Sequence, residues 1–599
     1  MSNKDILIKN LQSRVIGTRD IIHREIDKNK SIETNLQHLV SGTHGQSQGL
    51  YAMQLRFAQR RMGELETLYR SPFFAKVIYT QNGVNREVYI SKHELVDNDV
   101  VSWTAPVAEL RFADLGQAQL SLPENKIDHV NLNQKDSYVI NEEKIIYYSQ
   151  ETKECGVEII HEDFLANIKS EYGLSEIISK IEKEQYKIIQ SDPLQPLIIS
   201  GPAGSGKTTI CLHRVAYLLQ RPETADMYAG EKMLMLVQDR STKSYFSSIL
   251  PKLGIDNMQV DTYFDWAMSV IDIKDMIEIN MYDIDEIYYK LLQNKLEIIN
   301  DQKINKKKFE RNIIDELDAL YKKYLNKENY DTWIKNKNQN TLDYVDATLM
   351  LYICGDADGN IGLVDEHYKS LGDEKFKKVR RFNTIKYSMV IVDEYQNYSK
   401  DQIDIVRKVI NSKIKSIVYI GDINQKSVLK PDSKINNYTF FDCKKVELNK
   451  VYRNTKQILE FIKSKGYKIE VPDKARSGVE VQVIKIENTS NPETNLVVKI
   501  KEVLATTSKE EAVGVLCDSQ TTKGYITKEI LLESDDKNIK VMTKIESQGT
   551  EFNTVISIDE SENISITNDN TFNLKRKLAK KNANYISYTR AVERLVVMV

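Results

Sequence analysis

Apolar positions along the first seventy residues recur at near-helical spacing. Ile8, Leu11, Val15, Ile22, Ile26 and Leu36 form one stripe, and Leu55, Met62, Leu65 and Leu68 form a second. Between them the run Ser41-Gly42-Thr43-His44-Gly45-Gln46-Ser47-Gln48-Gly49 is rich in helix breakers, and Ser71-Pro72 closes the second stripe. Residues 1–72 therefore predict an antiparallel helical hairpin. A helix of about 35 residues spans roughly 50 Å. The pattern leaves three uses open: a hairpin packed on the main body, a dimerisation element, or an arm that probes a partner.

The period then changes. Over residues 73–164 apolar and polar residues alternate in short runs such as Ala75–Tyr79, Glu87–Ile90, Val100–Trp103, Tyr138–Ile140 and Lys144–Tyr148. Turn residues part these runs, as in a small β-rich domain. From residue 165 continuous apolar runs alternate with helical stretches, the signature of a parallel sheet. Leu197–Ile199, Met233–Val237, Met389–Val392 and Ser416–Ile420 are strand candidates of a first α/β domain over 165–267 and 384–445. Residues 268–383 break the rhythm and read as a mostly helical insertion, rich in Lys, Asn and Tyr. Residues 446–599 carry a second α/β set, with strands near 481–484, 512–516, 540–542 and 554–558.

Composition narrows the class. The 599 residues suffice for several domains, and 41% hydrophobic with 28% charged residues suits a soluble globular chain. No apolar run is long enough to span a membrane, and the polar N-terminus does not resemble a secretory signal. Five scattered cysteines form no C-x-x-C pair, so structural zinc and a disulfide framework are not expected and a reducing cytoplasm is. The net charge of −2 excludes binding nucleic acid by bulk charge, so any such contact is a local groove.

The chemistry is concentrated in Gly201-Pro202-Ala203-Gly204-Ser205-Gly206-Lys207-Thr208, with Thr209 behind it. The run follows an apolar strand and opens a helix. Its glycines let backbone N–H groups wrap a triphosphate, and the new helix points its positive end at the same anion. Lys207 reaches the β- and γ-phosphates, and the Thr208 hydroxyl stands where Mg²⁺ needs an oxygen. Asp393 and Glu394 close the apolar strand Met389–Val392. Asp393 is expected to hold Mg²⁺ and Glu394 to orient or deprotonate the attacking water. Gln425, in Gly421-Asp422-Ile423-Asn424-Gln425, can sense the γ-phosphate through its amide. Arg453 and Arg590 lie in the second α/β set, from which two guanidinium groups can reach a phosphate held by the first.

Taken in order these motifs resemble a superfamily 1 helicase motor of the UvrD/Rep type over residues 165–599. The resemblance implies two RecA-like domains, ATP with Mg²⁺, and further roles by position. Gln185 matches the adenine-reading glutamine, and Asp393-Glu394-Tyr395-Gln396 the DExQ box. Tyr452-Arg453 and Tyr588-Thr589-Arg590-Ala591 match the fourth and sixth motifs. Gln548-Gly549-Thr550-Glu551-Phe552 matches the fifth, in which Glu551 would contact ribose or order the domain interface. This fifth motif departs from the family, which usually has Lys and Leu where Gln548 and Thr550 stand. Ser71–Val77, Val101–Val107 and Leu212–Leu219 are similar to the HelD family of RNA-polymerase recycling ATPases. That likeness implies a helical arm for the polymerase secondary channel, an insertion that grips its main channel, RNA polymerase core as partner, and a monomer. The turn at 41–49 carries no carboxylate, so an acidic tip is not expected. About 90 residues separate the fourth and fifth motifs, too few for the regulatory domain that processive UvrD-type helicases insert there.

Two smaller readings concern nucleic acid. Asp261–Trp266 lies where such motors contact a strand, but aromatics after a strand read better as core. Lys306–Lys308 and Lys322-Lys323 alternate with acids and read as a solvated helix face. The functional expectation is an ATPase that releases RNA polymerase from nucleic acid. The alternatives are a 3′→5′ single-stranded DNA translocase or helicase in repair or phage defence, and a nucleotide-dependent scaffold.

Overall fold

The computed structural model describes residues 3–43, 46–95, 98–122, 126–141, 144–152, 156–160, 183–228, 232–279, 284–300, 312–355, 360–370, 376–411, 413–414, 416–426, 443–448, 451, 454–472, 475–486, 492–508, 511–531, 538–548, 550–559 and 570–599. The chain forms two compact units. The first holds residues 1–191, 212–229 and 248–256; the second holds 192–211, 230–247 and 257–599.

The first unit opens with helices α1 (Asn3–Gly42) and α2 (Gln46–Arg70), paired as a hairpin. A sheet follows, of β1 (Ala75–Gln81), β2 (Val84–Ser91), β3 (Val100–Ser102), β4 (Gly116–Leu122), β5 (Lys126–Asn141), β6 (Lys144–Thr152) and β7 (Gly156–Ile160). Its order is β3-β2-β1-β5-β6-β7, with β4 also on β5, and every pairing but β2–β3 is antiparallel. The hairpin's base belongs to this unit's core: Leu11, Val15, Ile22, Leu65 and Leu68 pack with Phe73, Tyr89, Tyr138 and Tyr148. Arg19 stacks on Tyr69 with 4.1 Å to the ring centroid. Beyond Asn29 and Ala58 burial stops. No described side chain between 30 and 57 is buried, and Leu50, Met53 and Phe57 are more than half exposed.

The second unit contains two parallel sheets. The first is built from β8 (Leu197–Ser200), β9 (Met233–Val237) and β10 (Met258–Thr262). The intervening chain adds β11 (Ile277–Glu278), β12 (Thr341–Leu342) and the hairpin β13 (Gly362–Ser370) and β14 (Phe376–Thr384). The sheet is then completed by β15 (Met389–Val392), β16 (Ser416–Gly421) and β17 (Lys444–Glu447), in the order β10-β9-β15-β16-β8-β17. The second sheet has β18 (Gln482–Ile484), β19 (Val513–Cys517), β20 (Ile539–Thr543), β21 (Phe552–Ile558) and β22 (Ala591–Met598), in the order β18-β22-β21-β19-β20. Strands β9, β15, β16 and β19 are buried almost throughout, which is why they read as unbroken apolar runs.

The stretch between β10 and β15 is helical over Glu286–Asn300, Ile313–Tyr324, Lys327–Asn338 and Tyr344–Ile353. Among the described residues it shares its core with the first sheet. Leu292, Leu317, Tyr321, Trp333 and Leu349 share one cluster with Ile198, Leu236 and Val392 of the first sheet. Tyr263, Phe264 and Trp266 lie in the same cluster, each no more than 5% exposed, so these aromatics are core. The cluster encloses a charged knot: Lys295 Nζ donates to Asp343 Oδ2 and Asp346 Oδ1, both at 2.7 Å, and all three side chains are fully buried. Asp343 also caps the helix Tyr344–Ile353 in a reciprocal capping box with Asp346. Among the described residues no helix is long and apolar enough to cross a membrane.

Candidate nucleotide site

In a parallel sheet the strands' carboxyl ends open onto one edge, and loops there can converge on a ligand. Here β16 lies between β8 and β15, so the loops after Ser200, Val392 and Gly421 are neighbours. The loop after β8 needs its glycines. Gly204 and Gly206 have φ of 78° and 81°, a region that L side chains avoid. At Gly201 φ is 151°, and an added Cβ would stand 2.2 Å from the Leu448 carbonyl oxygen. Lys207, 8% exposed, begins the helix Lys207–Gln220 and folds back over the loop, donating to Gly201 O (2.8 Å) and Pro202 O (3.0 Å). The Ser205 hydroxyl is buried with no hydrogen-bond partner. A turn of backbone N–H groups, a cation on neutral carbonyls and an orphaned hydroxyl together fit a polyphosphate.

Thr208 Oγ1 donates to Asp393 Oδ1 across 3.4 Å, joining the loop to the end of β15. Burial, then the neighbouring Glu394, push the Asp393 carboxyl up to about 7, while Lys207 opposes the shift. Among the described residues no group of three or more His, Cys, Asp or Glu could hold a metal. A magnesium ion at Thr208 and Asp393 would thus draw its other ligands from phosphate and water, as this ion ordinarily does. Glu394 has φ 49° and ψ 44°, a left-handed conformation that is strained for a side chain of its size. Its Oε2 accepts from Gln396 Nε2 at 2.5 Å, and Gln396 Oε1 accepts the Asp422 N–H at 3.2 Å. Gly421 makes room for that amide: a Cβ there would lie 2.1 Å from Gln396 Oε1. Gln425 Nε2 donates to Asp422 Oδ2 (3.3 Å), and its Oε1 is buried without a partner.

From the second sheet comes the helix Asn570–Thr589, with Arg590 directly after it. Arg590, 4% exposed, donates to Ile586 O (3.2 Å), Thr550 O (3.3 Å) and Thr589 Oγ1 (3.2 Å). These acceptors all belong to its own lobe. Tyr585, five residues earlier, is fully buried, and its hydroxyl makes no hydrogen bond among the described residues. Burial and the Asp422 carboxylate hold the Tyr585 phenol well above its ordinary pKa, and the Ala203 backbone and Arg590 act against them. Tyr585 thus stands among Ala203, Asp422 and Arg590, and it was not singled out from sequence, where it reads as one more core aromatic. Asn582 Nδ2 adds a bond to Lys426 O at 2.6 Å.

Lys207, Thr208, Asp393, Glu394 and Gln425 are therefore gathered at one sheet edge. Thr209 follows Thr208 on the same helix, and Glu551 is exposed at the start of β21. Gln185 is half-buried on the helix Lys183–Ile189 of the first unit, where Tyr186 packs against Trp103 and Phe112. Tyr452, Arg453 and Gly549 lie outside the described residues, as do Lys306–Lys308.

Comparison with known proteins gives this arrangement its class. Residues 181–427 match the UvrD/REP helicase N-terminal domain family, and residues 370–599 match the viral superfamily 1 RNA helicase core domain. Over these spans the chain is similar to superfamily 1 helicase domains of the UvrD/Rep type. A "Probable DNA helicase II homolog" of Mycoplasma capricolum is 25% identical over 52% of this chain and 45% of its own length. The ATP-dependent DNA helicase PcrA of Staphylococcus aureus is 24% identical over 48% of this chain and 40% of its own. PcrA of Bacillus subtilis is 24% identical over 48% and 39%. The chain thus spans less than half the length of these relatives.

Proposed function

We propose that this helicase-like chain is an ATP-driven motor that translocates 3′→5′ on single-stranded DNA. The observation that carries the reading is the bond from Asn582 Nδ2 of the second lobe to Lys426 O of the first (2.6 Å), which sets the helix that precedes Arg590 beside the phosphate site. A triphosphate in the loop is then faced by both lobes. Lys207 exchanges two neutral carbonyls for phosphate oxygens, a stronger charge-assisted contact. Glu394 orients the attacking water and takes its proton, and the orphaned Gln425 Oε1 accepts from that water. Arg590 leaves its own-lobe acceptors for the developing charge, which draws the lobes together. Thr208 and Asp393 would hold magnesium, whose charge offsets that of the phosphates. Adenine reading by Gln185, ribose contact by Glu551 and a second arginine at Arg453 are the roles that the family likeness implies. The test is ATPase rate against single-stranded DNA: at least about tenfold stimulation is expected, and a flat response would remove DNA as the track.

A second reading has its own support. In it the motor displaces RNA polymerase core from nucleic acid, as the likeness to the HelD family implies. The unburied outer part of the hairpin, with Leu50, Met53 and Phe57 exposed, suits an arm that enters another protein. The buried Tyr263, Phe264 and Trp266 also withhold aromatic faces from DNA bases. Co-purification with core polymerase should occur and should require residues 1–70. Its absence, or indifference to the arm, rejects this reading.

A further inference from the structure

The fifth motif departs from its family at Gln548, and the structure gives that residue a use. Gln548 is 4% exposed, on the turn that follows β20. Its Nε2 donates to Gln425 O at 3.4 Å, and its Oε1 accepts from Asn397 Nδ2 at 3.5 Å. Asn397 also reaches Gln238 Oε1 at 3.4 Å, and its own Oδ1 is buried without a partner. On the other side Gln425 is tied through Asp422 and Gln396 to Glu394. The second sheet's turn is thus joined by amides to the Glu394 segment, at Asn397, and to the loop after β16, at Gln425.

A lysine could donate to Gln425 O but could accept nothing from Asn397. Only a group that gives and takes can serve both contacts, and a side-chain amide does so without bringing charge into a buried place. Both bonds are long, as contacts that tighten only around substrate often are before it binds. The orphaned Gln425 Oε1 and Asn397 Oδ1 show that this network is incomplete without a further donor.

We propose that Gln548 is a positioning residue for hydrolysis: it fixes Gln425 and the Glu394 segment only when the second sheet is in place, so that water is activated only in the closed motor. The inference rests on reading Glu394 and Gln425 as the hydrolytic pair. The test uses the full chain, single-turnover ATP hydrolysis and titration with a fluorescent ATP analogue. Gln548→Ala should slow hydrolysis by about 10- to 100-fold while nucleotide affinity changes less than about threefold. Gln548→Lys should be slow too, since it restores only one of the two contacts. Asn397→Ala with Gln548→Ala should be no slower than Gln548→Ala alone, because the two act as one unit. Glu394→Gln separates the possibilities. If it stops hydrolysis while Gln548→Ala stays within about twofold of the parent, the pair stands and this inference falls. If Glu394→Gln hydrolyses normally, the pair and the inference fall together. Losses in hydrolysis, affinity and melting temperature that move in parallel would assign Gln548 to packing and overturn the proposal.

Discussion

Replacing Gly421 by alanine perturbs the site at one atom. The new Cβ would lie 2.1 Å from Gln396 Oε1 and 2.8 Å from Tyr395 Cδ1. Ordinary contact needs about 3.4 Å or more, so the Gln396 amide must withdraw by roughly 1 Å. That withdrawal breaks its acceptance of the Asp422 N–H and pulls its other end from Glu394 Oε2. A buried N–H without a partner costs about 1–3 kcal/mol of stability. A catalytic group displaced by about 1 Å loses on the order of 100-fold in rate. Lys207 and its loop are untouched, so nucleotide should bind with near-parent affinity. Single-turnover hydrolysis, analogue titration and thermal melting read the three effects separately. Adding Gln396→Ala to Gly421→Ala removes the closer of the two clashes and leaves that with Tyr395, so the double variant should melt above Gly421→Ala. A folded Gly421→Ala protein that hydrolyses within about threefold of the parent would refute this account of how Glu394 is held.

Other perturbations follow from the same geometry. Lys207→Ala removes the buried cation of the loop and should weaken nucleotide binding by at least about tenfold in an analogue titration; unchanged affinity would show that the loop binds without it. Arg590→Ala should retain binding and lose about 10³-fold in hydrolysis; near-parent turnover in a steady-state phosphate assay would remove it from the reaction. Lys295→Met strands Asp343 and Asp346 in the core and should cost about 3–5 kcal/mol near pH 8, measured by urea unfolding. That loss has a pH signature. Burial, then Asp343, raise Asp346 from 3.8 to about 6 in the folded parent, so the folded state binds more protons across that window and Asp346 costs more stability as pH rises through it. Without Lys295 the window moves higher, so the variant's deficit should shrink at pH 5; equal deficits at pH 5 and 8 would show that the knot is not ionic.

Legibility in the sequence followed local determination. The phosphate loop was readable because its glycines, lysine and threonine act through backbone geometry at fixed spacing. Strands β15 and β16 were readable because both faces are covered, leaving unbroken apolar runs. Strand β17 was not, since Lys444-Lys445-Val446-Glu447 lies at the sheet's edge, where one side of the ladder is unpaired and charges are tolerated. Strand β22 sits inside its sheet, yet Glu593 and Arg594 interrupt its apolar run. Their charges are met at the surface, with Arg594 donating to Thr506 Oγ1 and Gln482 Oε1. Lys295 read as one cation in a polar insertion, because nothing near it in sequence announces that Asp343 and Asp346 fold over it. Tyr585 was not visible as a site residue, and Gln548 was visible only as a departure in the fifth motif, for the same reason: Asp422, Gln425 and Asn397 are more than a hundred residues away along the chain.

The helix Asn570–Thr589 shows why the nucleotide end and the insertion must respond to each other. At its C-terminal end are Tyr585 and Arg590, beside Asp422 and Ala203. In its middle Asn582 holds the Lys426 carbonyl. Near its start Lys575 donates to Tyr289 Oη at 2.9 Å, and Ala579 packs against Tyr289, on the insertion helix Glu286–Asn300. An α-helix of 20 residues is about 30 Å long and transmits displacement along its axis with little bending. Most buried apolar side chains of the helix Glu286–Asn300 share the first sheet's core, whereas Tyr289 lies apart from it, against Ile284 and Ala579. Any motion of Arg590 toward phosphate is therefore resisted or permitted at two other points on the same rod. One of them is a hydrogen bond and ring contact from an otherwise basic, acid-free helix segment, whereas Tyr585 is packed in the second lobe's own core. The expected outcome is that Lys575→Ala loosens this contact without disturbing either sheet's core, which hydrogen exchange of the helix Glu286–Asn300 would read.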